Sequence, residues 1–280
     1  MEVKNIGFHC SAGGGYIHLF DTIKNNHMDT FQIFTKNHRQ WKEKLIPDEE
    51  ADFFKKSFQK NKVKTGISHT TYLINLASTD EEIRRKSILA LAAELERCKA
   101  LGIKYAVLHP GGSKMLNENQ AIDRIAQGLK VVIDYCEGNE VMILLENTAG
   151  QGASVGWKFE NLKAIIDSTE CNNIGVCFDT CHAFASGYDI RTTEGFNETI
   201  NHFDRAIGLK FLKAFHLNDS KADFKSRVDR HEHIGKGKIG ITPFLEILKK
   251  FPALPKVIET DHEGSLHVKD LELLRSFSSL

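Results

Sequence analysis

Two patterns of apolar positions alternate along this chain. Short, nearly unbroken runs read as buried strands: VKNIGFH (3–9), TFQIFT (30–35), KTGISH (64–69), KYAVLH (104–109), VMILLE (141–146), IGVCFD (174–179), FLKAFHL (211–217) and PKVIET (255–260). Between them apolar residues recur at helical spacing. These segments run through Leu19 and Ile23, over 48–62 with Asp48 as N-cap, and over 78–102, 118–137, 158–169, 197–208, 242–251 and 267–277. The 78–102 segment carries a Ser/Thr–Asp cap, an acidic first turn and a closing glycine. Eight strands and about eight helices in strict alternation predict a (β/α)8 TIM barrel. The rival is an open doubly wound sheet, which usually has a glycine-rich phosphate loop after its first strand; SAGGG is not G-x-G-x-x-G. No linker or composition break divides the 280 residues, so one domain over 1–280 is expected.

Six of the runs end on a residue type that binds metals: His69, His109, Glu146, Asp179 with His182, His216 and Glu259. Taken singly, each has an ordinary explanation. A strand-end histidine can be a hydrogen-bonded neighbour, a strand-end glutamate can pair with a lysine or arginine, and Asp179 can be the N-cap of a following helix with His182 on its first turn. Together they are harder to dismiss, because barrel strands deliver their C-terminal ends to one face. The longest connection without a clear element, 218–240, adds Asp229 and His231, whose i, i+2 spacing puts them on one side of an extended backbone. Carboxylates crowded this way repel unless cations neutralise them, and interleaved imidazoles suit zinc or manganese. Nine donors are too many for one ion and suit two or three, the signature of a multimetal hydrolytic site.

Composition narrows the picture only slightly. The 41% hydrophobic and 26% charged residues are ordinary for a globular chain with a real core. Lysine plus arginine equals aspartate plus glutamate at 37 each, but each bound divalent ion would add two positive charges and could turn the pocket towards a phosphate backbone. The six cysteines contain no C-x-x-C pair and read as reduced, packed thiols; Cys177 and Cys181 flank Asp179, which leaves a thiolate–zinc reading as the minor alternative. No apolar run is long enough to span a membrane. The start, MEVKNIGFH, lacks a basic leader and an apolar core, so a cytoplasmic location is expected.

HTTYLINLA (69–77), LHPGG (108–112), LLENTAGQG (144–152), FDTCHAFASGYD (178–189), HLNDSK (216–221) and DRHEHIGKG (229–237) resemble the endonuclease IV family of zinc-dependent apurinic/apyrimidinic endonucleases. The similarity runs from GFHCSAGGG to the final IET, essentially the whole chain. The resemblance implies a TIM barrel with three zinc ions, one position open to manganese. His69, His109 and Glu146 would hold one ion, Glu146, Asp179, His216 and Glu259 a second, and His182, Asp229 and His231 the third. Glu146, shared by two ions and holding the water-derived nucleophile, is the implied catalytic residue. The implied reaction is hydrolysis 5′ to an abasic site in double-stranded DNA, leaving 3′-OH and 5′-deoxyribose phosphate, with removal of 3′-blocking groups as well, by a monomer. Arg39, Tyr72 and Leu73 are the implied wedge in the base stack, and Lys36, Lys221, Arg227 and Arg230 the implied phosphate contacts. On the residues alone, Tyr72 and Leu73 would instead be a helix-start or core contact, and Arg39 a surface cation–π partner of Trp41.

His233 matches no ligand position of the family, and His9 is expected beside the site. Two departures stand out: Lys225 replaces a glycine, so the loop backbone near Asp229 is expected to differ slightly, and Asp261 stands where proline is usual. Two rival readings remain: a metal-dependent sugar isomerase or epimerase, needing one or two ions, and a zinc-stabilised DNA-binding module without activity.

Overall fold

All eight runs become staves of one closed barrel. The computed structural model describes residues 5–42, 45–261 and 265–277. Its strands are β1 (Ile6–Cys10), β2 (Thr30–Ile33), β3 (Thr65–His69), β4 (Tyr105–Leu108), β5 (Met142–Glu146), β6 (Ile174–Asp179), β7 (Leu212–His216), a short antiparallel pair β8 (Asp219–Ser220) and β9 (His231–Glu232), and β10 (Lys256–Ile258). The barrel closes in the order β1-β10-β7-β6-β5-β4-β3-β2 with every pairing parallel. The helices are α1 (Tyr16–Asn25), α2 (Asp48–Lys60), α3 (Glu81–Leu101), α4 (Glu118–Tyr135), α5 (Phe159–Thr169), α6 (Thr180–Ser186), α7 (Thr193–Ala206), α8 (Thr242–Lys250) and α9 (Leu266–Ser276). The TIM barrel read from the sequence is the observed fold. Val3 and Lys4 of the first predicted strand lie outside the described residues.

Strand alternation sets what the barrel holds. Successive side chains face opposite sides, so one set packs outward on the helices and the other fills the interior. The interior set includes a small apolar layer of Ile67, Val107, Leu144, Cys177, Ala214 and Val257, all fully buried. Two residues further along each strand the same inward face carries His69, His109, Glu146, Asp179, His216 and Glu259. A floor of hydrocarbon therefore lies directly beneath a ring of donors. Outward-facing aromatics such as Phe31 and Phe178 meet Phe54 and Phe159 of the helical layer edge to face or tilted, each buried ring contributing about 2–3 kcal/mol.

Helix ends follow the sequence signals where those are strong. Asp80 caps α3 by accepting from Glu82 N and Ile83 N, and Gly102 closes it at φ 72°. Asn117 and Gln120 form a reciprocal capping box on α4. Asp48, expected as an N-cap, is instead the first helical residue after Pro47, where its carboxylate faces the positive end of the helix with Glu49 and Glu50. The helix expected over 197–208 starts earlier, at Thr193, because Thr192 caps it through Gly195 N. Within 218–240, the connection that showed no element, β8 and β9 zip together with Ser220 opposite His231.

Candidate metal centre

Each donor arrives by a distinct local device. His69, Glu146, Asp179 and His216 are the last residues of β3, β5, β6 and β7, while His109 and Glu259 follow immediately on β4 and β10. Asp179 also caps α6, accepting from His182 N at 2.7 Å, so that short helix points His182 back into the same space. Asp179 thus caps α6 while its carboxylate lies among the candidate donors. Asp229 and His231 come from the β8–β9 segment, 3.3 Å apart across one side of it. His182 Nε2 lies 3.1 Å from Asp229.

Glu146 is the hub. Its Oε2 lies 3.0 Å from His109 Nε2 and 3.3 Å from His69 Nε2, while its Oε1 lies 3.0 Å from His216 Nδ1 and 3.3 Å from His182 Nδ1. His216 Nδ1 is also 3.1 Å from Glu259. The candidate donors fall into sets whose ligating atoms lie within 4.8 Å of one another: His69–His109–Glu146, Glu146–Asp179–His216–Glu259 and His182–Asp229–His231. All nine donors read from the sequence meet here, in the grouping the family resemblance implies. Asp179, Cys181 and His231 also satisfy that distance. However, burial pushes the Cys181 and Cys177 thiols up to about 12, so neither is a ready thiolate at neutral pH.

Hydrogen bonding prepares the imidazoles for a cation. His69 Nδ1 is 2.8 Å from Thr70 O and His182 Nδ1 is 2.9 Å from Asn147 O, which leaves each Nε2 aimed inward as a lone pair. Three inward atoms, Glu146 Oε2, His182 Nε2 and His231 Nε2, are buried and form no hydrogen bond of good geometry, meeting only the neighbouring donor side chains at 3.0–3.3 Å. Buried polar atoms held this loosely are costly, and a divalent ion among them would satisfy them together. The residues present therefore fit divalent metal.

The electrostatics agree. Burial alone would raise the Glu146 carboxyl, but His216 and His109 hold it well below the usual range. Burial opposes charging of His182, yet Asp179 and Asp229 raise it well above its ordinary value; His216 is raised against burial by Cys177, Glu259 and Glu146. Asp179 moves up, chiefly from burial. Without a cation the imidazoles must charge to neutralise the carboxylates, which marks a field built for positive charge.

Polar residues that carried no signal of their own hold the donors in place. Asn218 donates to Asp179 Oδ2 at 2.6 Å and accepts from Glu259 N at 2.9 Å; Asn147 accepts from Asp179 N at 2.7 Å. His9 accepts from Gln32 at 3.0 Å, beside the centre as expected. His233, set aside from the ligand list, pairs instead with Asp270 at 2.7 Å.

The connections that follow the barrel strands carry the remaining sequence-predicted residues. Tyr72 is 60% exposed, with its ring 5.2 Å from His69 and 5.8 Å from His109, and Leu73 beside it is half-buried. They lie in a turn after β3 rather than at a helix start or in the core, with Thr71 Oγ1 bonded to His38 O. Arg39 is exposed on that neighbouring loop, while Trp41 packs against the core. Lys36 donates to Gln40 O, Lys221 is exposed, Arg230 donates to Asp229 O, and the Arg227 guanidinium stacks 3.9 Å over Trp157. Lys225 itself sits in the left-handed conformation, at φ 62°, which glycine adopts more readily.

Fold and donors define a class, and comparison with known proteins narrows it. The family model described as xylose isomerase-like TIM barrel matches residues 20–277. The chain is 43% identical over 276 residues to "Probable endonuclease 4" of Geobacter sp. (strain M21), covering 97% of this chain and 98% of that one. It is 44% identical over 280 residues to the protein of the same name in Chloroflexus aurantiacus (strain ATCC 29366 / DSM 635 / J-10-fl), covering 98% of each. The crystal structure of endonuclease IV from Thermus thermophilus superposes with a TM-score of 0.89 at 30% identity, covering 98% of this chain and 99% of that one. The chain belongs to the endonuclease 4 family. Among the described residues no helix is long and apolar enough to cross a membrane.

Proposed function

We propose that this chain, acting as one domain and as a monomer, is a DNA base-excision repair endonuclease that hydrolyses the phosphodiester bond 5′ to abasic sites in duplex DNA. It leaves 3′-OH and 5′-deoxyribose phosphate ends and also removes 3′-blocking groups. The observation that carries the proposal is the convergence of nine donors around Glu146, in sets whose ligating atoms lie within 4.8 Å of one another, in a chain of this family.

His69, His109 and Glu146 would hold one zinc ion, Glu146, Asp179, His216 and Glu259 a second, and His182, Asp229 and His231 a third, with manganese able to replace one. Bound there, the ions supply charge neutralisation at the phosphodiester and a water pKa lowered to about 7. Glu146 meets four imidazoles with its two carboxylate oxygens at 3.0–3.3 Å, which fixes its rotamer and would let its charge serve two ions. With cations held by these residues, charge developing on a leaving oxygen would be stabilised electrostatically, and none of these side chains would need to act as general acid.

Substrate choice falls to the mouth. An abasic nucleotide has no base to unstack, so Tyr72, Leu73 and Arg39 can fill the gap at low cost while the sugar turns towards the centre. Lys36, Lys221, Arg227 and Arg230 then meet backbone phosphates; stacking on Trp157 pre-orients Arg227 for that contact. The test is incision of a duplex carrying a single abasic site. Cleavage on its 5′ side, lost on chelation and restored by zinc, is the expected result; incision that survives complete chelation would contradict the proposal.

A further inference from the structure

Gln32 is wholly buried on β2, a strand that brings no candidate donor to the centre. Its amide nevertheless reaches three groups. Nε2 donates to Glu259 Oε1 at 2.5 Å and to His9 Nδ1 at 3.0 Å, and Oε1 lies 2.8 Å from His216 Nε2. A primary amide has two N–H donors and one carbonyl oxygen, and all three are engaged.

The amide's orientation follows from its partners. An ionised Glu259 oxygen can only accept, so the amide nitrogen must face it. The amide oxygen then faces His216 Nε2, which must carry a proton. The other ring nitrogen, Nδ1, points at Glu146 Oε1 and Glu259 Oε2, 3.0 and 3.1 Å away. In a neutral imidazole that nitrogen is a bare lone pair facing two carboxylate oxygens, an arrangement a cation completes.

We propose that Gln32 is a positioning residue, fixing the inward nitrogen of His216 and the carboxylate of Glu259 for the ion they share with Glu146 and Asp179. The proposal rests on the metal reading above. Gln32 touches neither the ion nor the substrate and acts through those two side chains. For His69 and His182 the equivalent acceptor is a backbone carbonyl, of Thr70 and Asn147. His216 Nε2 instead points across the barrel interior to β2, three strands away around the barrel, and there a side chain supplies the acceptor.

Gln32→Met removes all three bonds with little change in volume. The metal-free wild type and variant are titrated with zinc against a chromophoric chelator, with thermal melting of each as the folding control. The expected result is one zinc bound about 10–100-fold more weakly in the variant, the others at wild-type affinity. A merely structural role would weaken every zinc together, and that outcome overturns the proposal, as does unchanged affinity throughout. Long-range 1H–15N correlation of the zinc-loaded wild type decides the matter even where the variant does not fold: the proton of His216 is expected on Nε2, and finding it on Nδ1 overturns the proposal. A wild type that takes up no zinc overturns the metal reading and this proposal with it; a wild type that binds zinc no better than Gln32→Met overturns only the role of Gln32.

Discussion

Two clusters of buried charge meet on opposite faces of the same strand. On the outer face of β3, Ser68 donates to Glu94, which also accepts from Thr35 and pairs with Arg97; Arg97 Nε in turn donates to Thr35 Oγ1 at 2.8 Å. Glu94 and Arg97 are 2% and 4% exposed. One residue on, His69 faces inward to Glu146, among carboxylates and imidazoles three of whose inward atoms form no hydrogen bond of good geometry. Both clusters are charged and largely buried, but only the outer one is completed by matched pairs among the chain's own groups. A buried charge with a matched partner belongs to the fold; a buried set left short of positive charge is built for something the chain does not contain.

The largest expected effect comes from breaking the inner cluster. Glu146→Gln keeps the shape but removes the charge shared by four imidazoles, and should slow incision at an abasic site by about 10^3-fold or more, the scale of losing a charge-stabilising group. Binding to the same duplex should persist in a gel-shift assay, and an active Glu146→Gln protein would sink the assignment. Arg97→Met breaks the outer cluster instead. It leaves Glu94 buried without its counter-ion and should cost about 3–5 kcal/mol in denaturant unfolding, with zinc bound per chain unchanged. If zinc content falls as well, the two clusters are not separable.

A third buried charge sharpens the contrast. Lys256 is fully buried and donates to Phe251 O and Leu254 O, with no carboxylate hydrogen-bonded to it, and burial pushes its ammonium down to about 8. The unfolded chain holds that proton up to its ordinary pKa near 10.5, so between the two values the unfolded state binds more protons. Stability should therefore rise with pH across that window, by up to about 3 kcal/mol relative to Lys256→Met followed over the same range. The smallest effect isolates backbone strain from charge. Lys225→Gly relieves a left-handed lysine and should stabilise the fold by about 0.5 kcal/mol. If Lys225 also meets a phosphate, the salt dependence of duplex binding should lose about one unit of slope.

The parts legible in the sequence are those governed by period and by chemistry at strand ends. Eight apolar runs became eight barrel strands, and all nine donors converge because a parallel barrel sends every strand end to one face. Pairing in β8 and β9 is invisible in the sequence because two-residue strands leave no periodicity. Asp48 sits one position from its expected place because capping residues and first-turn acids share a composition. Gln32 lies inside an apolar run with no motif around it; only the fold brings it to Glu259 and His216. Asn147 and Asn218 lie within the family motifs, yet their roles emerge from geometry alone. Tyr72 shows the reverse: residue type favours a buried contact, and its exposure at the rim beside His69 decides otherwise.

Three ions, rather than its own side chains, are proposed to complete this barrel mouth, and zinc bound per chain tests that most directly. The purified protein, saturated with zinc and freed of excess, should carry about three ions per chain by elemental analysis. One ion or none would contradict the account, and two would favour the simpler centre of the sugar isomerases.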